Sequence, residues 1–533
     1  MTNEPRTSTT GTATGVPAAL TADEAYAYTS GLRLDPRTAN PEDWRVDWHD
    51  GPWPVKVYTG GRRLRLGPDG APHLAALHRL LYDAFAISRV RADPAGGVHA
   101  TPSDPRPHRG SSVQLRRPIP SGGSMYPTEA YTVLTGEDLG CHYDPYRHEL
   151  TRVRGRGTVR AVRTALGMSA HEPLPPALLV ITSRFWKNFY KYGDFSARLG
   201  AVDAGVAVGR AGRLARAAFG HADVRSAFDD AALHACLGLD ETVENVQAVI
   251  GLGHPGTGTG KGAPPPAAPE PVPAVLERSR VIKRSVRFDA LQRAARAPGR
   301  TPPRPPSPAP TVPADDVPLG LPAPHRPDLL AAPVLARRAS RGRLFTGSEV
   351  TGERLATVLH HTAEGLRELA RDCPDGLGAR AAETALYCAV HRVHGVAPGW
   401  YRYLAGPHAL LPVGAGADPG CARRVQEALF AASFNAELAA FTVHVVTPLD
   451  WRDAAGARPY REQQLAVGAA VEGVTLCAAA AAEDLSGHAV LGFDVTAMDR
   501  AYGLEGSGSG TQAQVCVGAL RSDPNWEIAV IPR

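Results

Sequence analysis

The feature that most restricts how this 533-residue chain can fold is that its second half repeats its first. The stretch Pro120 to Glu129, PSGGSMYPTE, is matched in length by Pro374 to Glu383, PDGLGARAAE. GCHYDPYRHELTRV, from Gly140, is echoed by GWYRYLAGPHALLPV, from Gly399, and DAGV at Asp203 by VEGV at Val471. Tyr192 and Tyr460 each stand thirteen residues before a glycine, Gly205 and Gly473. Self-similarity on this scale marks an internal duplication. It predicts an α+β fold built from two copies of one domain, and a fused pair of this kind reproduces a two-fold dimer inside one polypeptide.

Between the copies the composition shifts to APPPAAPEPVPAV and TPPRPPSPAPTVPADDVP. Proline runs favour polyproline II and resist packing. The expected layout is a disordered tail over 1–22, a first domain over 23–255, a proline-rich linker over 256–332 and a second domain over 333–533. The linker's basic centre, RVIKRSVRFDALQRAARA, reads as a solvated face or as a helix docking on a partner.

Within the first copy, PWPVKVYTGGRRLRLG, Pro52 to Gly67, reads as an extended arm with a Gly-Gly turn. HLAALHRLLYDAFAI then carries Leu74, Leu77, Leu80, Leu81 and Phe85 at helical spacing, which predicts a core helix. Tyr131 to Leu134 and ALLVITS, from Ala177, read as buried strands, and NVQAVIGLG, from Asn245, as a closing one. Phe185 to Gly220 starts as an aromatic and cationic loop and continues as a long helix dense in Ala and Gly. Small residues repeated along a helix let another helix approach closely, so two such helices are expected to meet between the copies.

A net charge of +5 over this length, with no dense Lys/Arg block, argues against nucleic acid as a partner. Seven cysteines lie far apart without a C-x-x-C pair, which suggests reduced thiols and gives no support for a metal site. The N-terminus lacks a basic and then apolar signal pattern, and no run of eighteen apolar residues occurs. The protein is expected in the cytoplasm and off the membrane.

Two stretches carry chemistry. In RRPIPSGGSMYPTEAYTVL, Arg116 to Leu134, the run Ser121 to Ser124 offers hydroxyls and backbone N–H groups where Gly122 and Gly123 let a flat ligand approach the main chain. Pro120 and Pro127 stiffen that turn. RRASRGRLF, Arg337 to Phe345, places two arginines, Ser340 and Arg343 ahead of the apolar-periodic GERLATVLHHT, a set able to hold a phosphate by charge-assisted hydrogen bonds.

With PSGGSMYP, the arm PWPVKVYTGG, YKYGDFSARLGAVDAG (Tyr190 to Gly205) and RRASRGRLF in view, nearly the whole chain resembles the SagB-type azoline dehydrogenases. These are FMN-dependent, nitroreductase-like enzymes that oxidise azolines to azoles in ribosomal peptide natural products. The tandem form looks like versions from thiopeptide-type pathways, which favours thiazoline over oxazoline. The resemblance implies two tandem nitroreductase-like domains forming an intrachain pseudo-dimer, with FMN at their interface. It also implies an azoline-containing precursor peptide as substrate, a cyclodehydratase as a possible partner, and reoxidation of the flavin by oxygen.

Carried over residue by residue, it assigns the flavin to Pro120, Ser121, Gly122, Gly123 and Ser124 of the first half and to Arg337, Arg338, Ser340 and Arg343 of the second. Gly487, in EDLSGHAVLGFD, is the candidate for a backbone N–H near the ring. An extra residue before Phe345 leaves open which of Arg341 and Arg343 meets the phosphate. The catalytic pair is Lys191 and Tyr192. Lys191 acts as base if burial and cations such as Lys187 or Arg184 favour its neutral amine, while Tyr192 relays the proton or is itself the base as phenolate.

The two halves depart from the family pattern in complementary ways. The first lacks the arginine element; the second keeps it but has PDGLGARA in place of the glycine turn and Pro459-Tyr460 opposite Lys191-Tyr192. One intact site and one dead mirror site are expected. His142, His148 and His408, in the repeated strand-turn unit, and Asp203 and Glu472, inside helices, read as structural. The competing functions are an NAD(P)H-fed reductase of small molecules, for which the Lys-Tyr pair has no use, and a non-catalytic scaffold of an azole-forming complex.

Overall fold

The computed structural model describes residues 6–10, 18–36, 40, 44–69, 71–92, 98–101, 104–109, 113–169, 171–254, 274–296, 317–431, 434–454, 456–522 and 526–529. About half of the expected linker (256–273 and 297–316), and most of the expected tail before residue 18, lie outside them.

Two seven-stranded antiparallel sheets form the body. The first holds β1 (Arg63–Arg65), β2 (Thr128–Leu134), β3 (Leu139–Asp144), β4 (Glu149–Arg154), β5 (Ala177–Arg184), β6 (Ala222–Arg225) and β7 (Glu244–Leu252), in the spatial order β6-β7-β5-β2-β3-β4-β1. The second holds β8 (Leu319–Gly320), β9 (Ala385–Val390), β10 (Gly399–Leu404), β11 (Ala409–Ala417), β12 (Phe441–Pro448), β13 (Leu485–Val490) and β14 (Ser509–Ala519), in the order β13-β14-β12-β9-β10-β11-β8. The order is the same strand for strand. The duplication legible in the residues is therefore a duplication of topology.

The shared strand-turn unit repeats in atomic detail. Tyr143 Oη meets His148 Nδ1 at 2.5 Å, and Tyr403 Oη meets His408 Nδ1 at 2.8 Å. Both histidines take left-handed backbone, at φ 54° and 52°. Each pair closes a hairpin, as its structural reading requires.

The helices used below are α1 (Pro72–Phe85), α2 (Phe185–Tyr192), α3 (Ser196–Phe219), α4 (Val286–Ala294), α5 (Ala332–Arg337), α6 (Gly352–Asp372), α7 (Gly376–Glu383) and α8 (Arg458–Ala481). The aromatic stretch from Phe185 is thus a short helix rather than a loop. Trp186 and Phe189 recur on its buried face and pack against Phe288 and Leu291 of α4, which supplies the periodic apolar contact a helix needs. The linker's basic centre accordingly packs on its own chain, and Arg6–Thr10 pairs in parallel with Val281–Ser285.

The two 24-residue helices α3 and α8 cross at the centre, joining the halves. A Cβ on Gly205 would overlap the carbonyl of Leu465, and one on Gly468 would overlap that of Val202. Only glycine permits backbones to come this close. Beside the crossing, Arg210 donates to Glu472 at 2.6 Å with both side chains fully buried. By length and composition α8 could span a membrane, but 94% of its apolar window is buried inside the protein, as a core helix requires. All seven cysteines are free and buried.

Counting from the starts of these helices corrects one equivalence. Tyr192 ends α2, before α3 begins at Ser196, whereas Tyr460 lies in the first turn of α8. Lys191-Tyr192 and Pro459-Tyr460 are therefore not matching positions, because spacing to a glycine does not register where a helix starts.

Candidate active site

The glycine turn leads into β2, as its place ahead of a β-type run predicts. Gly122–Ser124 forms one turn of 3-10 helix, and Gly123, Ser124 and Tyr126 all have positive φ, at 59°, 59° and 49°. Two of these are not glycine, and left-handed backbone in such residues needs outside support. Asp203, on α3, gives it. Its carboxylate accepts the Ser121 hydroxyl at 2.6 Å and the Gly122 N–H at 3.0 Å, and the Ser121 Oγ in turn accepts the Tyr126 N–H at 2.8 Å. Burial lifts the Asp203 carboxyl to about 6 even though Ser121 and Gly122 donate to it. The structural role expected of Asp203 is thus to anchor the turn, for which the chain carries no local signal, since its partners lie some eighty residues away.

Lys191 and Tyr192 come to this turn. A Cβ on Gly123 would overlap the Tyr192 hydroxyl and stand 2.8 Å from Lys191 Nζ. The bare glycine is what lets both groups reach the main chain. Lys187, one helical turn earlier, is buried instead, and its ammonium donates to the carbonyl of Pro54. Burial, with Arg117 adding repulsion, holds it well below the ordinary lysine range. Arg184 is engaged by Glu277 at 2.6 Å.

The second half supplies the arginines. Arg337 closes α5 and donates to the Ala479 carbonyl at 2.8 Å; Arg338, buried, donates to the Pro118 carbonyl at 2.6 Å, two residues ahead of Pro120. They stand at the end of a helix, not at the start of one, because Pro333 opens α5 and α6 begins only at Gly352. Ser340 and Arg343 are exposed. His488 accepts the Gly342 N–H at 3.1 Å, and burial together with Arg343 and Arg116 holds it down at about 4, so it is neutral near pH 7. From the first half, Arg116 donates to Ser124 Oγ. Gly487 lies within β13 opposite Val517, where a Cβ would come within 3.1 Å of Thr475 Cα. It is a strand residue packed on α8.

Among the described residues no carboxylate pairs with Arg338, and Glu472 offsets only part of the cationic crowding around it. Arg338 has a buried nitrogen without a hydrogen-bond partner, and burial, with Arg89 and Arg210 close by, lowers its guanidinium to about 9. An anion would relieve that crowding. The left-handed turn with its bare Gly123, beside an arginine lacking an anion, fits a flat cofactor that carries a phosphate.

The corresponding place in the other half is closed. Ahead of β9 stands helix α7 in place of a glycine turn. Asp375 accepts the N–H groups of Ser226 and Ala227 at 3.3 Å each, Glu462 accepts the Ser226 hydroxyl at 2.8 Å, and Arg458 and Arg461 both pair with Asp230. Here the arginines pair with a carboxylate of the protein itself.

The class of fold follows from this layout: paired α+β units joined through a central helix crossing, with residues of both halves converging on one site. The scan against family models finds no match, and the search of curated proteins finds none. A solved structure described as a nitroreductase from Anabaena variabilis superimposes with a TM-score of 0.69 at 19% identity, over 93% of this chain and 99% of that one. Because both chains are covered almost end to end, the whole tandem arrangement is shared, and the fold is nitroreductase-like. The E. coli microcin synthetase McbBCD complex with truncated pro-MccB17 bound matches 44% of this chain and 93% of that one, at 19% identity and a TM-score of 0.27. A structure described as a nitroreductase from Ralstonia eutropha matches 48% and 98%, at 19% identity and a TM-score of 0.26.

Proposed function

We propose that the protein is an FMN-dependent dehydrogenase that oxidises a thiazoline, or less readily an oxazoline, to the azole in a ribosomally made peptide, in the cytoplasm. One observation carries the reading: the first-half turn Pro120 to Ser124, the pair Lys191-Tyr192 and the second-half Arg338 meet at one place. The domains taking part are 23–255 and 333–533, joined by 256–332.

In this reading Arg338, Arg337, Ser340 and Arg343 hold the phosphate, and the turn Ser121 to Ser124, with the main-chain N–H groups of Ser121 and Gly123, faces the ring. FMN supplies the hydride acceptor. Lys191, as the neutral amine, takes the proton from the ring carbon next to the carbonyl, so the substrate loses one proton and one hydride. Tyr192, whose hydroxyl lies against Gly123, passes that proton on or takes it first as phenolate. Asp203 keeps the turn in its left-handed form throughout. A cyclodehydratase that makes the azoline is the natural partner, because its product is this substrate.

Purified protein is tested for flavin by absorbance, with about one FMN per chain expected from one intact interface. It is then given a synthetic thiazoline peptide under air. Lys191→Ala with flavin retained and azole formation lost supports the assignment. Unchanged turnover in Lys191→Ala, or two flavins per chain, overturns it.

A further inference from the structure

Lys191 has a neighbour not yet given a role. Its Nζ lies 5.6 Å from the centre of the Trp48 ring and 5.0 Å from that of Tyr192. The amine is thus bordered by the glycine turn, by Tyr192 and by an indole face. Trp48 lies just before the arm that begins at Pro52 and is 39% exposed, a large apolar surface left open to water beside a reactive group.

The indole is also held in place. Its ring meets Tyr190 edge-on, with centroids 6.0 Å apart and planes at 88°. Tyr190 lies against Gly51, where a Cβ would be 3.2 Å from its ring. The adjoining Asp50 carboxylate accepts the N–H groups of Arg280 and Val281 at 2.7 and 2.8 Å, and Asp47 accepts that of His49 at 3.0 Å. An exposed aromatic ring fixed on both flanks is preorganised to receive a flat partner, since little freedom remains to be lost on binding.

We propose that Trp48 is the substrate platform, on whose indole face the flat five-membered ring of the peptide lies beside Lys191. The proposal rests on the dehydrogenase reading and names the surface that reading leaves open. A ring seated there shields Lys191 Nζ from water on the Trp48 side.

The test uses the full-length flavin-loaded protein, a synthetic thiazoline hexapeptide and its thiazole product. Both peptides are expected to quench indole emission. The chain has seven tryptophans, so the quench is assigned by its loss in Trp48→Phe. Trp48→Ala is expected to raise KM at least tenfold with kcat within threefold, and Trp48→Phe to recover most of that loss. Melting temperatures of both variants are expected to match the wild type, because the ring is exposed. A KM within twofold of wild type in Trp48→Ala, or a quench retained in Trp48→Phe, overturns the platform while turnover by the wild type keeps the dehydrogenase reading. No azole from the wild type, with thiazole still quenching Trp48, overturns that reading and leaves the platform standing.

Discussion

The Asp203 carboxylate accepts the hydroxyl of Ser121 at 2.6 Å from within the central helix α3, and so ties the glycine turn to the contact between the two halves. Its carboxyl is raised to about 6. A carboxyl raised on folding takes up its proton in the folded state first, so this group adds stability as pH falls through about 6, and its ionised form costs stability above that. Protonation also removes an acceptor from the turn. FMN affinity is therefore expected to fall as pH drops through about 6 without a matching fall in melting temperature from this group. Asp203→Asn should abolish that step, whereas Asp203→Ala, which strands buried donors, should cost about 1–3 kcal/mol in denaturant unfolding.

Gly123 takes φ 59° against the Tyr192 hydroxyl. Gly123→Ala meets two obstacles, the left-handed backbone at about 1–2 kcal/mol and the displacement of Tyr192. Turnover is expected to fall by much more than stability. Steady-state rates and denaturant midpoints on the same preparation check this, and a full-rate Gly123→Ala would mean that Tyr192 does not act from this position.

Arg338 is a buried cation beside Arg89 and Arg210. An anion on it stabilises the folded state by mass action, so FMN is expected to raise the melting temperature of the wild type and to do so far less in Arg338→Ala. Arg338→Lys should recover part of the shift, since a point charge replaces a planar fork. An equal FMN shift in Arg338→Ala would place the phosphate elsewhere.

Gly468 stands where its Cβ would overlap the Val202 carbonyl. Gly468→Val forces α3 and α8 apart, and overpacking of this kind costs about 1–3 kcal/mol or more. Unfolding in urea is expected to show that loss for the whole chain, because the helices belong to different halves. A neutral Gly468→Val would show that the crossing tolerates a wider spacing.

Several elements could be read without coordinates because each depends on neighbours in the chain. Leu77, Leu80, Leu81 and Phe85 recur at helical spacing and all are buried in α1. Tyr131 to Leu134 is rich in β-branched and aromatic residues and lies in a strand, Thr128–Leu134, buried on both faces. Other features could not. Phe185 to Tyr192 looks like a loop until Phe288 and Leu291, from beyond the first domain, supply its apolar partner. PDGLGARAAE looks like a degraded turn, yet folds as α7 because Asp375 reaches Ser226 and Ala227.

The sequence by itself determined the duplication and the α+β class, since repeats and periodicities are local and survive as patterns along the chain. Only the tertiary structure decided that Arg338 bonds the carbonyl of Pro118, that Asp203 anchors Ser121, that Trp48 borders Lys191 and that α7 closes the mirror position. Each of these joins segments far apart in the chain, where buried polar groups must find partners that no local pattern specifies.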